Sequence, residues 1–158
     1  IGIYKNLQTA SRQEWNDSLA INVTAPFILI KELLPLLQRS ESPLIINIGS
    51  GMGKIPTANR SLYCASKFAI RGLSLSLSEE FKDTNIKICH LDLGSTLTNF
   101  GGMTIAQKLE EQKKGKVYFT PEFVADKLVE IVKSDVLEPE ITLYPGDYTK
   151  EQNIEYRK

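Results

Sequence analysis

The sequence predicts an α/β layered fold on a parallel sheet, of which this chain supplies a C-terminal portion. Three observations carry the prediction. Two short runs, Leu44 to Ile48 and Ile86 to Leu93, are apolar almost throughout instead of alternating, the pattern of strands covered on both faces. Long stretches with helical spacing separate them, and the order helix, strand, helix, strand, helix, strand suits right-handed crossovers. The order also opens on a helix with no strand to cross over from, and three strands leave a bare sheet edge. Earlier strands are therefore expected, and residues 1–158 are read as a single partial domain, a reading with which Ile1 in place of Met agrees.

Ser11 and Glu14 have the spacing of a capping box, and apolar residues recur through Trp15, Leu19, Val23 and Phe27 to Leu37, predicting a long helix over 11–38. Pro26 removes a backbone donor inside it and predicts a bend or a division into two segments. Leu44 to Ile48 is the first strand, running into a loop with Gly49, Gly51 and Gly53. Leu62, Ala65, Ala69, Leu73, Leu77 and Phe81 form a stripe that predicts a second long helix over 60–81. After the strand ending at Leu93, residues 99–120 are rich in Gly and Lys with a helical run near Thr104 to Gln112, which reads as a substrate lid. Thr120 as N-cap with Pro121 at the first helical position starts a helix to Lys133, Glu140 to Tyr144 is a last strand, and 146–158 is a polar surface tail.

The 42% hydrophobic and 24% charged content belongs to an ordinary globular domain, and nineteen Lys and Arg balance nineteen Asp and Glu. Neither sign gathers into a block, so a nucleic-acid partner is not expected. Unbroken apolar runs such as 25–30 and 44–48 fall far below the roughly 18 residues of a membrane span, so no membrane partner is expected. Cys64 and Cys89 have no metal-ligand spacing and read as small core residues in a reducing compartment, which places the protein in the cytoplasm.

Tyr63 and Lys67 lie four apart on a predicted helix, so they share one face. Bringing a tyrosine pKa from about 10 to neutrality takes roughly 4 kcal/mol of phenolate stabilisation, which a neighbouring ammonium and a cationic cofactor ring would supply. The pair alone is a weak signal. Ser50, thirteen residues before Tyr63, raises it, because it stands at a strand's carboxyl end, where open α/β sheets place ligands.

Ile45-Ile46-Asn47-Ile48-Gly49-Ser50, then Gly53, then Tyr63-Cys64-Ala65-Ser66-Lys67 resemble the catalytic segments of the short-chain dehydrogenase/reductase family. Asn22, in Leu19-Ala20-Ile21-Asn22-Val23, resembles that family's structural and proton-relay asparagine. Gly94 to Thr98 is similar to its nicotinamide-binding loop, with Leu93 where the family usually has proline, which leaves the loop less rigid. The resemblance spans nearly the whole chain.

The resemblance implies an incomplete Rossmann-like doubly wound sheet and an NAD(P)-dependent oxidoreductase moving a hydride between NAD or NADP and a small carbonyl or alcohol substrate. It implies Asn22, Ser50, Tyr63 and Lys67 as the catalytic set, and Tyr63, Lys67, Gly94, Thr96 and Thr98 as cofactor contacts. Tyr63 would protonate the developing alkoxide, Ser50 orient its oxygen, Lys67 hold the ribose hydroxyls and Asn22 a relay water. The two long helices resemble the family's subunit contacts, implying a homodimer or homotetramer of the full-length form. The family's glycine-rich pyrophosphate loop and its Asn-Asn-Ala-Gly segment do not occur in this sequence. The chain alone is therefore expected to be inactive, the alternative being a truncated interaction module or a decayed gene product. A nucleotide-sugar epimerase relative fits the Ser50-to-Tyr63 spacing less well. Gly49, Gly51 and Gly53 lack phosphate-loop spacing and read as room for substrate, His90 as a packed strand residue, and the charge run Glu110 to Lys114 as a solvated face.

Overall fold

The computed structural model describes residues 1–148. Three parallel strands, β1 (Leu44–Ile48), β2 (Lys87–Leu93) and β3 (Glu140–Leu143), lie in the order β1, β2, β3. Helices are α1 (Arg12–Leu19), α2 (Ala25–Leu37), α3 (Ser61–Glu80), α4 (Ile105–Lys113) and α5 (Pro121–Lys133). The crossovers are α3 between β1 and β2, and α4 with α5 between β2 and β3. This is the expected α/β architecture.

Strand alternation sorts β2 into two faces. Leu91 joins Phe119, Val124, Ile131 and Leu143 in a core beneath α5, with Ile46, Leu93 and Ile141 packed against it. His90 and Asp92 alternate with Leu91; His90 meets Ser74 of α3, and Asp92 meets Lys54. Both faces of β2 are therefore buried, one apolar against α5 and the other carrying the buried polar pair His90 and Asp92, so the strand is less uniformly apolar than its sequence pattern predicts.

Ser11 caps α1 as its sequence predicts: its Oγ accepts from the Glu14 amide at 3.1 Å, and the Glu14 carboxylate accepts from the Ser11 amide at 2.9 Å. The long helix divides as Pro26 predicts, but the break precedes the proline, as a π-helical turn over Ala20–Thr24, and Pro26 sits in the first turn of α2. There its missing N–H costs nothing. A second proline, Pro35, lies inside α2 near its end. Thr120 caps α5 through the Phe123 amide, with Pro121 at its start.

The helical run Arg12–Leu37 is long and apolar enough to cross a membrane by length and composition. This corrects the sequence argument, which weighed only unbroken apolar runs. No residue of α2 is buried, and Ile21, Phe27, Ile28, Leu29, Leu33 and Leu36 are all exposed.

The lid region is not uniform. Thr104 and Gln107 form a capping box at the start of α4, whereas Tyr118 and Phe119 are fully buried and belong to the core. The expected surface tail begins with a 3₁₀ turn, Pro145–Tyr148, whose Tyr148 packs on Phe119 and Phe123. The remainder of the tail, 149–158, lies outside the described residues.

Leu91 is wholly buried at the centre of this core. Leu91→Ala is expected to cost about 2–5 kcal/mol by lost transfer energy and a residual cavity, read as a fall in the urea midpoint with an unchanged slope.

Candidate active site

β1 ends at Ile48, and two residues later Ser50 takes an extended backbone and caps the 3₁₀ turn Gly51–Gly53, its Oγ accepting from the Met52 amide at 3.3 Å. This fixes the hydroxyl at the strand's carboxyl end. From α3, Tyr63, 4% exposed, reaches the same cavity wall as Ser50. Lys67, one turn on, donates to the Ile48 carbonyl at 2.9 Å, its Nζ 5.6 Å from the Tyr63 ring centre. Ser50, Tyr63 and Lys67 line one cavity of about 770 Å³, together with Gly94, Thr96 and Thr98. Six of the seven predicted site residues thus converge.

Asn22 is the exception. It sits in the π-helical turn, 8% exposed and outside the cavity lining. Its Nδ2 donates to the Ile1 carbonyl at 2.8 Å and to Ser66 Oγ at 3.0 Å, and its Oδ1 accepts from the Ile1 nitrogen at 2.5 Å. Both amide protons are spent on protein. Asn22 therefore ties the N-terminal segment to α3, and Ser66 is the neighbour of Lys67.

Tyr63 departs from expectation in the direction of its acidity. Burial pushes its phenol up to about 12, with Tyr4 adding to the rise and Ser50 opposing it. Tyr4 meets the ring edge-on at 5.3 Å between centres and Phe100 lies at 5.9 Å, so the phenol stands in aromatic surroundings that disfavour a phenolate. The ammonium that was to lower it points to Ile48 instead. Burial also lowers the pKa of Lys67.

Across the cavity, the Gly94 amide donates to Leu143 at 2.8 Å, Leu97 to Phe119 at 2.8 Å, and Phe119 to Ser95 at 2.9 Å. These main-chain bonds pin the loop despite Leu93 standing in place of proline. Lys108 of α4, 7% exposed, donates to the carbonyls of Thr96 and Phe100, both at 3.0 Å, and so fastens α4 to the loop.

Beneath Ser50 lies a network that the sequence reading missed. Lys54, which closes the 3₁₀ turn, reaches Asp92 at 2.7 Å and Glu140 at 3.2 Å and donates to Thr142 at 3.1 Å. Asp92 also meets His90 Nε2 at 3.1 Å, and Arg71 grips Glu140 with two nitrogens at 2.6 and 3.1 Å. Burial alone would raise the Asp92 carboxyl, but His90 and Lys54 outweigh it and hold the pKa below the usual range. Gly49 lies against His90, and a Cβ there would collide with the imidazole. His90, Asp92 and Glu140 could also be taken for metal ligands by proximity, but the Lys54 ammonium already balances both carboxylates. One signal was available: an aspartate inside a strand buried on both faces demands a partner. Nothing in the sequence pointed to Tyr4.

The model of the short chain dehydrogenase family matches residues 1–110. The chain belongs to that family. A 2,5-dichloro-2,5-cyclohexadiene-1,4-diol dehydrogenase of Sphingobium indicum is 41% identical over 78 residues, covering 49% of this chain and 31% of that protein. Among solved structures, 4-hydroxyisoleucine dehydrogenase complexed with NADH and succinate has a TM-score of 0.73 at 22% identity, covering 92% of this chain and 63% of that one. Serine dehydrogenase complexed with NADP+ has a TM-score of 0.76 at 23% identity, covering 90% and 60% respectively. The chain thus spans less than two thirds of these relatives. At such identities the structural likeness establishes the fold, an incomplete doubly wound Rossmann-like sheet.

In cofactor-free protein, the phenolate absorbance of Tyr63 is expected to emerge only near pH 12, seen as the difference between the ultraviolet titrations of wild type and Tyr63→Phe. A Tyr63 step below pH 10 would contradict the burial argument.

Asp92 contributes stability that is fully present above the unfolded carboxyl pKa of about 4 and is lost as pH falls through its lower folded value. Asp92→Asn is expected to destabilise by about 1–3 kcal/mol at neutral pH, since it removes the carboxylate that Lys54 and His90 share while Glu140 still holds Lys54. In urea unfolding the gap from wild type should narrow below about pH 4.

Proposed function

We propose that this chain is the catalytic portion of an NAD(P)-dependent oxidoreductase that interconverts a carbonyl and an alcohol on a small molecule. The observation that carries the reading is that Ser50, Tyr63 and, one helical turn on, Lys67 all line one cavity at the carboxyl end of β1.

In reduction, Tyr63 gives its proton to the oxygen of the reacting carbonyl while Ser50 donates a hydrogen bond to the same oxygen. Burial keeps Tyr63 a phenol, so the proton is present to be given, and its raised pKa has to be offset by charge in the loaded site. Lys67 uses one of its three protons on Ile48, leaving two for the ribose hydroxyls of the cofactor. A bound nicotinamide cofactor supplies the hydride and, when oxidised, a positive charge that favours the Tyr63 phenolate in the reverse direction. The residues present fit such a group: Lys67 and Tyr63 face Gly94, Thr96 and Thr98 across one cavity. In the relatives, the NADH and NADP+ of the solved complexes support the cofactor class.

Asn22 acts by holding the N-terminal segment and, through Ser66, the turn of α3 that carries Lys67. Residues 99–117 serve as the lid, fastened by Lys108. The exposed apolar residues of α2 support a homodimer or homotetramer of the complete protein. A cytoplasmic location with no membrane or nucleic-acid partner belongs to the same proposal on the family resemblance, not on that helix. The 158 residues by themselves are expected to turn over little or nothing.

In the complete protein, Tyr63→Phe is expected to lower kcat by about 10²- to 10⁴-fold, the usual worth of a positioned general acid, with KM changed far less. The rate of cofactor oxidation at saturating substrate measures it. A Tyr63→Phe variant within a factor of three of wild type would remove Tyr63 from the chemistry and with it this reading.

A further inference from the structure

We propose that Arg60 is a carboxylate-binding residue and that the substrate is a short hydroxy or oxo acid. The inference rests on the oxidoreductase reading for the reaction, and adds the class of molecule on which it acts.

The charge of the cavity is unlike that of the chain. Nineteen positive residues balance nineteen negative ones overall, yet the cavity lining holds Arg60, Lys67, Lys108 and Lys116 and no aspartate or glutamate. A concave wall of one sign, with apolar Met52, Ile55 and Met103 between the charges, focuses the field on an anion.

The four cations are not equivalent. Lys67 is engaged by the Ile48 carbonyl and Lys108 by two carbonyls, and Lys116 projects from the lid with its ammonium over Tyr118. Arg60 stands in the wall itself. Its guanidinium lies 4.3 Å over the Tyr4 ring, and its only hydrogen bond among the described residues runs from Nη1 to the Met52 thioether at 3.6 Å. A thioether is a weak acceptor, and a guanidinium has five N–H donors set in the planar fork that matches a carboxylate. No carboxylate pairs with Arg60 among the described residues, whereas Arg71 is gripped by Glu140. Stacking on Tyr4 pre-orients the fork at little further entropic cost.

Position sets the size of the ligand. Tyr4 carries Arg60 on its face and touches Tyr63 with its edge, so one aromatic ring separates the guanidinium from the reacting phenol. A substrate whose carbonyl meets Ser50 and Tyr63 would bring a carboxylate only a few carbons away to Arg60. Oxidation then removes a hydride from the carbinol carbon to the oxidised cofactor and the hydroxyl proton to the Tyr63 phenolate, which the positive charge of that cofactor favours, leaving the carboxylate unchanged.

The test uses the complete protein with its cofactor and a matched pair, 3-hydroxybutyrate and its methyl ester. Wild type is expected to favour the acid in kcat/KM, and Arg60→Gln to lower the acid-to-ester ratio by ten- to a hundredfold, the worth of a charge-assisted bidentate contact, with most of the loss in KM for the acid. Arg60→Lys should recover part of the ratio. A ratio unmoved by Arg60→Gln, or a wild type that prefers the ester, overturns the carboxylate site and leaves the oxidoreductase reading standing. If neither compound reacts, calorimetric titration of the same protein with malonate and malonamide decides. Malonate binding that Arg60→Gln weakens tenfold upholds the anion site, and no malonate binding by wild type overturns it.

Discussion

The site depends on a buried ion pair. Asp92 is wholly enclosed in the central strand, and the Lys54 ammonium at 2.7 Å is what makes that tolerable. An isolated carboxylate in such a place would be driven to protonate. The pair fixes more than itself, because Lys54 closes the turn that Ser50 opens, and His90, on the other side of Asp92, sets the space into which only a glycine at position 49 fits. Strand, turn and the Ser50 hydroxyl are thereby locked to one another from below. Glu140 and Arg71 extend the clamp to β3 and α3, so the two elements that flank β2 share the same charge balance. The arrangement is self-consistent only as a unit, and its value is specificity of position more than net stability.

Above that floor, aromatic packing sets the chemistry. Tyr4, near the start of the chain, and Phe100, between β2 and α4, flank the Tyr63 ring, and their apolar bulk keeps its proton in place. A tyrosine so held stays protonated at neutral pH but gives up its proton less readily than a free phenol. In the proposed reaction the charge that enters the cavity would set the balance between the two directions, and Lys67, pointed at the Ile48 carbonyl, would take less part in it than helical spacing alone suggests.

Much of this was legible in the sequence, for identifiable reasons. β1, α5 and the caps at Ser11 and Thr120 follow from local chemistry: an unbroken β-branched run, a proline at a helix start, a hydroxyl poised over an amide. Ser50, Tyr63 and Lys67 were recoverable because strand and helix periodicity place them together once the fold class is known. The residues that escaped are those whose partners lie far along the chain. Lys54 meets Thr142 across 88 residues and Arg71 meets Glu140 across 69, and no periodicity encodes such pairs. Asn22 was found by type and place, but its amide is occupied by Ile1 and Ser66, contacts of the same long-range kind. The apolar content of 12–37 was underrated for a different reason: counting unbroken runs ignores that a helix of interrupted runs is still apolar on average.

The measurement that tests the account most directly is isotope transfer in the complete protein, using a reduced nicotinamide cofactor deuterated at C4 and a short oxo acid. The account predicts one deuterium on the carbinol carbon of the product for each cofactor oxidised, with both lost together in Tyr63→Phe. Deuterium absent from the product, or transfer that persists in Tyr63→Phe at the wild-type rate, would contradict a hydride-transfer centre built on Ser50, Tyr63 and Lys67.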